Sequence, residues 1–261
     1  MLSPNTHSRR TNLIVLIILS FPFMYSVISA LFCNITRESL FFAYGYELKS
    51  LTMRVSVVCI KKFLSYLFHT TFPSMVTVLF CCLCLRCSFC FNCLTQKVLL
   101  YSPDDFGPSE QKEILRQKAK IDDILENLQD IFSIPSVFVT ITHLLSCCSA
   151  VGMSVIGGNY SMTSALKAAF YGIPNLVSLL VLLWIAGSIP VEQNKLKGAF
   201  YKRAHSRFLT VFTSEEPQCK REILEKADFV LNGCSTFSYT RSSILAVFGT
   251  LLTYSLLIYQ N

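Results

Sequence analysis

Five stretches of this chain run for 19 to 23 residues without a charged side chain: 13–33, 63–85, 134–156, 168–189 and 242–260. At 1.5 Å per residue, each helix would be long enough for a hydrocarbon core of about 30 Å. A backbone inside lipid must satisfy its own hydrogen bonds, which leaves helices or closed barrels, and apolar runs of this length fit helices. The expected fold is therefore all-α, a polytopic helical membrane protein with five spans. Composition agrees: 52% hydrophobic residues, 15% charged ones and a mean hydropathy of +0.49 exclude a solvated globule and a disordered chain alike.

The net charge of +7 is informative once it is assigned to loops rather than read as a nucleic-acid footprint. With a cytoplasmic amino terminus (1–12), the inside segments 86–133 and 190–241 complete a set of seventeen Lys and Arg. The outside loops 34–62 and 157–167 hold six. That bias places the amino terminus inside and, after the last span (242–261), the carboxy terminus outside. Both N-x-S/T sequons, Asn34-Ile35-Thr36 and Asn159-Tyr160-Ser161, fall in the outside loops. A cleaved signal peptide over 13–33 is the alternative for the first span, and it leaves the downstream topology unchanged.

Two inside segments read as amphipathic helices. In the first, Ser102 to Ser109 gives turn chemistry, and Ile114, Ile121, Ile124, Leu128 and Ile131 then recur on one face, among charged residues, up to the third span. In the second, 220–232, Ile223, Leu224, Ala227, Val230 and Leu231 share a face, with Asn232-Gly233 as the stop and a polar break over Cys234 to Thr240. These helices either pack together as an intracellular domain or lie on the membrane surface.

Several features can carry chemistry. Cys84, Cys87, Cys90 and Cys93 repeat every third residue, a spacing that tempts a metal reading. On a helix, however, they form a drifting stripe unable to surround one ion, so no metal is expected. Palmitoylation at the inner membrane boundary and plain reduced thiols remain open. His69 and His143 lie inside spans, where an ionisable group either serves function or hydrogen-bonds a neighbouring helix. With Tyr66, Phe170, Tyr171 and Trp184 they form the candidate ligand-binding set. In the last span Ser243, Ala246, Thr250, Thr253, Leu257 and Gln260 share one small, polar face that either packs against helices or lines water. No H-E-x-x-H, G-x-S-x-G or Walker sequence is present, so neither an enzyme nor a cofactor is expected.

The run from Thr253-Tyr254 through Ser255-Leu256-Leu257-Ile258-Tyr259 to Gln260 resembles the signature closing the seventh span of arthropod gustatory receptors. Phe237 to Ser242, Leu245 to Thr250 and the charged helix ending Leu125 to Ser133 resemble further parts of that family. The resemblance implies a ligand-gated, non-selective cation channel in the plasma membrane. It would be a homo- or hetero-tetramer with other chemoreceptor subunits, surrounded by membrane lipid and gated by a small-molecule tastant. Thr253, Tyr254 and Gln260 carry over as motif residues, with Gln260 facing the pore, while Asn261 stands where the family usually has Phe. The five spans would correspond to the third through seventh, which makes the chain an amino-terminally truncated or partial member. A G-protein-coupled receptor, which needs seven spans and an outside amino terminus, and a transporter or structural membrane protein are the alternative readings.

Overall fold

The computed structural model describes residues 4–156, 162–209, 221–223, 225, 227–234 and 237–260. In chain order these form α1 (Pro4–Phe32), α2 (Ile35–Phe42), α3 (Leu51–Tyr66), α4 (Phe72–Leu100), α5 (Pro108–Ile156), α6 (Met162–Ala186) and α7 (Ser188–Phe208). A two-stranded antiparallel hairpin, β1 (Asn232–Gly233) and β2 (Phe237–Ser238), follows, and then α8 (Ser243–Gln260). Among the described residues four helical runs are long and apolar enough to cross a membrane: Arg9–Phe32, Leu51–Leu100, Pro108–Met153 and Ala165–Phe208. Ser243–Ile258 is apolar but shorter. The protein is a multi-pass helical membrane protein.

The apolar stretches do not mark helix ends. Within 34–62, read above as a loop, Asn34 caps α2 by accepting the Arg37 N–H at 3.2 Å. Tyr44 and Gly45 then turn the chain in the left-handed region, at φ 53° and 90°, where glycine carries no Cβ penalty. α3 meets α4 through a π turn over Leu67–Thr71, in which the Phe72 N–H reaches back to Leu67 O. Pro73, one residue further on, explains its place. Its ring has no N–H for His69 O and would clash with that carbonyl in a regular helix, and the wider turn relieves both.

The chain divides into two compact units, one built from Met1–Leu79, Phe138–Leu180 and Ala246–Asn261 and the other from Phe80–Val137 and Val181–Leu245. In the first, α1 packs on α3, and α5 and α6 approach so closely at Gly172 that a Cβ there would meet Ala150 Cβ at 3.0 Å.

The second unit has an aromatic and aliphatic core. Phe106 meets Phe200 edge-on at 5.2 Å, and Phe91, Ile114, Leu125 and Leu196 are fully buried. On α5 the inner face is Ile114, Ile121, Leu125 and Leu128, whereas Ile124 and Ile131 are 56% and 67% exposed. The expected single stripe is thus split. Ile124 and Ile131, seven residues apart, sit nearly in line about 60–80° round the helix from Ile121. Lys118 and Asp122 are buried on the same helix as a 2.6 Å ion pair.

The second amphipathic helix differs more. Of 220–232, residues 221–223 and 225 are helical, but 227–231 are not, and Asn232 opens a strand rather than ending a helix. The segment's backbone donors are taken from outside. Phe229 N–H donates to Gln193 Oε1 at 2.7 Å and Asn232 N–H to Gln129 Oε1 at 2.8 Å, while Leu231 O accepts the Tyr239 N–H at 2.9 Å. Gln129 also returns a bond from Nε2 to Asn232 O, so one side-chain amide pairs with β1 as a neighbouring strand would. Ser133 Oγ accepts the Cys234 N–H at 2.9 Å, and within 234–240, read above as a polar break, Phe237–Ser238 forms β2. At the hairpin's exit, Arg241 stacks its guanidinium 4.5 Å over the Trp184 ring.

α4 continues as regular helix through Cys81 to Cys93. Cys81, Cys84 and Cys87 are buried while Cys90 and Cys93 are exposed. Among the described residues no group of three or more His, Cys, Asp or Glu is placed to hold a metal ion.

Candidate functional site

The first unit contains an open cavity of about 720 Å³. Helical spacing builds its walls. Lys61, Ser65 and His69 follow one another at four-residue intervals on α3 and the π turn, Glu38 and Phe42 on α2, and Lys167 and Tyr171 on α6. From α5 come Thr142, Leu145, Ser146, Ser149 and Met153, again one face; Tyr25 of α1 and buried Lys62 complete the lining.

Behind it stands an aromatic cluster. The Tyr25 ring lies 5.0 Å from Tyr66, 5.5 Å from Phe170 and 5.2 Å from Tyr171, and Tyr66 lies 5.2 Å from Tyr171. One hydrogen bond explains why Tyr66 carries a hydroxyl while only 1% exposed. Pro174 has no N–H to give to Phe170 O four residues earlier, and the Tyr66 hydroxyl donates to that carbonyl at 3.0 Å. The carbonyl that Pro174 leaves without a helical donor in α6 is therefore satisfied by a side chain of α3.

A second polar group lies deeper. Asn175, fully buried, accepts the His143 Nδ1–H through Oδ1 at 2.6 Å and donates through Nδ2 to Tyr171 O at 2.7 Å. Thr77 Oγ1 lies at 3.0 Å from His143 Nε2, so neither ring nitrogen is without a partner. This network fastens α4, α5 and α6 together.

The candidate residues are thus distributed. His69 and Tyr171 line the cavity; Tyr66 and Phe170 form the cluster behind it. His143 belongs to the buried network instead. Trp184 lies in the other unit beneath Arg241, so the structure does not bring it into this group. Tyr25, Glu38, Lys61, Lys62 and Lys167 were not singled out by sequence. The lysines had been read only as loop charges, although two of them adjoin an apolar stretch.

The polar face of α8 can be followed at Ser243, Thr250 and Thr253. Thr250 and Thr253 are exposed and turn their hydroxyls to their own helix, at Ala246 O and Gly249 O, both 2.9 Å. Ser243 donates to Ser238 O at 2.8 Å. Of the side chains described on α8, only Val247 is buried, and Tyr254 is 36% exposed. The Gln260 side chain and Asn261 lie outside the described residues, as does the Asn159 sequon.

Neither a protein-family model nor a curated protein matches this sequence. Solved structures do. The insect olfactory receptor OR5 from Machilis hrabei, in complex with eugenol, superposes with a TM-score of 0.66 at 15% identity, covering 98% of this chain and 70% of the receptor chain. A second structure of the same receptor gives a TM-score of 0.67 at 16% identity with the same coverage. The chain has the helical fold of that chemoreceptor.

Proposed function

We propose that this protein is a gustatory-receptor-like chemoreceptor subunit, a ligand-gated, non-selective cation channel. In this reading a small molecule enters the cavity of the first unit, and α8 lines the conduction path of a tetramer in the plasma membrane, with the amino terminus inside. The observation that carries it is α8 itself. It is an apolar helix with exposed hydroxyls on one face, it ends in the Thr253-Tyr254 to Gln260 motif, and it sits in a fold shared with an insect olfactory receptor along 98% of the chain. A ring of small polar side chains offers dipoles to a partly hydrated cation, as a pore requires. Ligand occupancy would favour the open arrangement only through tighter binding to it, and the aromatic cluster joining α1, α3 and α6 is the element such binding would shift.

The test is accessibility. In cells expressing the chain, alone or with a second chemoreceptor subunit, Gln260→Cys should react with an externally applied thiol reagent and change the ligand-evoked cation current. The unsubstituted chain sets the background from native cysteines. Confirmed labelling with unchanged current returns the polar face of α8 to helix packing and removes the pore reading. Asn261→Phe should lower basal leak, because a ring of Phe makes an apolar constriction that gates by dewetting.

A further inference from the structure

We propose that the ligand class of this cavity is the organic carboxylates, small anions with an apolar body; this rests on the reading of the cavity as the ligand site. Three ammonium groups, Lys61, Lys62 and Lys167, line it against the single carboxylate of Glu38. That carboxylate is already engaged. Lys62, 5% exposed, lies 3.7 Å from Glu38 Oε2 and donates to Ser29 Oγ at 2.8 Å. Lys61 and Lys167 remain, on α3 and α6, and among the described residues neither has a carboxylate within salt-bridge distance. The walls around them contain little else that is charged.

Two ammonium groups without a carboxylate partner, lining one cavity whose low-dielectric walls focus their field, attract an anion more than either would alone in open water. A neutral ligand would leave both unpaired, and a cationic one would add to their repulsion. The remaining lining supplies the other half of the match. Phe42, Leu145 and Met153 offer apolar surface for a hydrocarbon body, and the hydroxyls of Ser65, Ser146 and Ser149 can donate to carboxylate oxygens. Lysines act as point charges rather than planar forks, so the head group is held by charge and hydroxyls while the body sets the fit. An anionic lipid head group shares the charge, and the experiment separates it from a soluble acid.

The full chain is placed in phosphatidylcholine nanodiscs, and the binding of cinnamate and of cinnamyl alcohol, nearly the same shape without the charge, is measured by calorimetry. Cinnamate should bind at least about tenfold more tightly. The Lys61→Gln/Lys167→Gln pair should bring it down to the alcohol's affinity and leave the alcohol unchanged, while Lys61→Arg/Lys167→Arg should retain most of the difference. Ser146→Phe, which puts a ring into the cavity where the ligand's body would lie, should abolish both. Equal affinities for acid and alcohol, or an acid preference that survives the glutamine pair, overturn the carboxylate assignment. If Ser146→Phe still abolishes binding in that case, the cavity remains the ligand site. Binding of neither compound by folded protein, or binding indifferent to Ser146→Phe, overturns both readings. Stabilisation of the chain by added phosphatidylserine, lost in the glutamine pair and with no response to cinnamate, assigns the two lysines to lipid and likewise overturns the proposal.

Discussion

Tyr66→Phe removes one oxygen atom and nothing else. The ring contacts with Tyr25, Phe170 and Tyr171 remain, so the change isolates the bond to Phe170 O, the carbonyl that Pro174 leaves without its helical donor. An acceptor buried without a partner costs about 1–3 kcal/mol. A chain of this size loses roughly 2–4 °C of melting temperature per kcal/mol, which gives a shift of about 2–12 °C in detergent-solubilised protein. The decisive measurement is a double-mutant cycle. Pro174→Ala restores a backbone N–H able to bond Phe170 O, and in that background Tyr66→Phe should cost less than about 0.5 kcal/mol, a coupling of more than about 0.5 kcal/mol. If the two substitutions are additive within about 0.5 kcal/mol, the hydroxyl is not standing in for the missing amide, and the account of Pro174 in α6 fails.

Asp122→Asn should destabilise the second unit by about 3–5 kcal/mol, because it strands the Lys118 ammonium in the core, whereas Lys118→Met/Asp122→Leu should be neutral or stabilising; equal losses in the two melting curves would contradict this. Ile124→Asp changes an exposed side chain, so the folded protomer should survive with an unaltered melting temperature while chemical cross-linking finds less of the proposed tetramer; unchanged assembly removes Ile124 from any subunit contact. Gly233→Ala would drive a Cβ into Val137 Cγ2, and a loss of about 1–3 kcal/mol is expected that Val137→Ala partly recovers. Gln129→Leu should cost about 2 kcal/mol or more by leaving the Asn232 N–H and carbonyl without partners, read as faster amide exchange at Asn232.

What could be read from the sequence was whatever depends on composition along one segment. Uninterrupted apolar length marks membrane helices because lipid leaves the backbone few alternatives, and the last helix shows its polar face through spacing alone. Segment 227–231 was misread for the opposite reason. Its local pattern suits a helix, but Gln193 and Gln129, distant in sequence, take the backbone donors of Phe229 and Asn232, and tertiary bonds override a weak propensity. The cavity was half visible. His69 and Tyr171 stood out as unusual residues in apolar runs, yet Lys61, Lys62 and Lys167 looked like ordinary flanking charges, since only the folded helices bring them onto one wall. The service that Tyr66 renders to Phe170 O, 104 residues away, leaves no trace in either segment alone.

The π turn at Leu67–Thr71 resets the phase of a long helix. At about 100° per residue, positions four apart advance by some 40°, so the inward series Lys62, Tyr66, Thr70 creeps round the axis with every step. Carried on regularly, Ser74 would lie a third of a revolution from Lys62 and turn away from the interior. The wider turn winds that drift back, and Ser74 and Thr77 are both buried again. One unbroken rod can thereby keep a single inward seam over more turns than its own pitch allows. Removing one residue from this turn would leave each half intact and rotate everything beyond it, like a key cut correctly but turned in the lock.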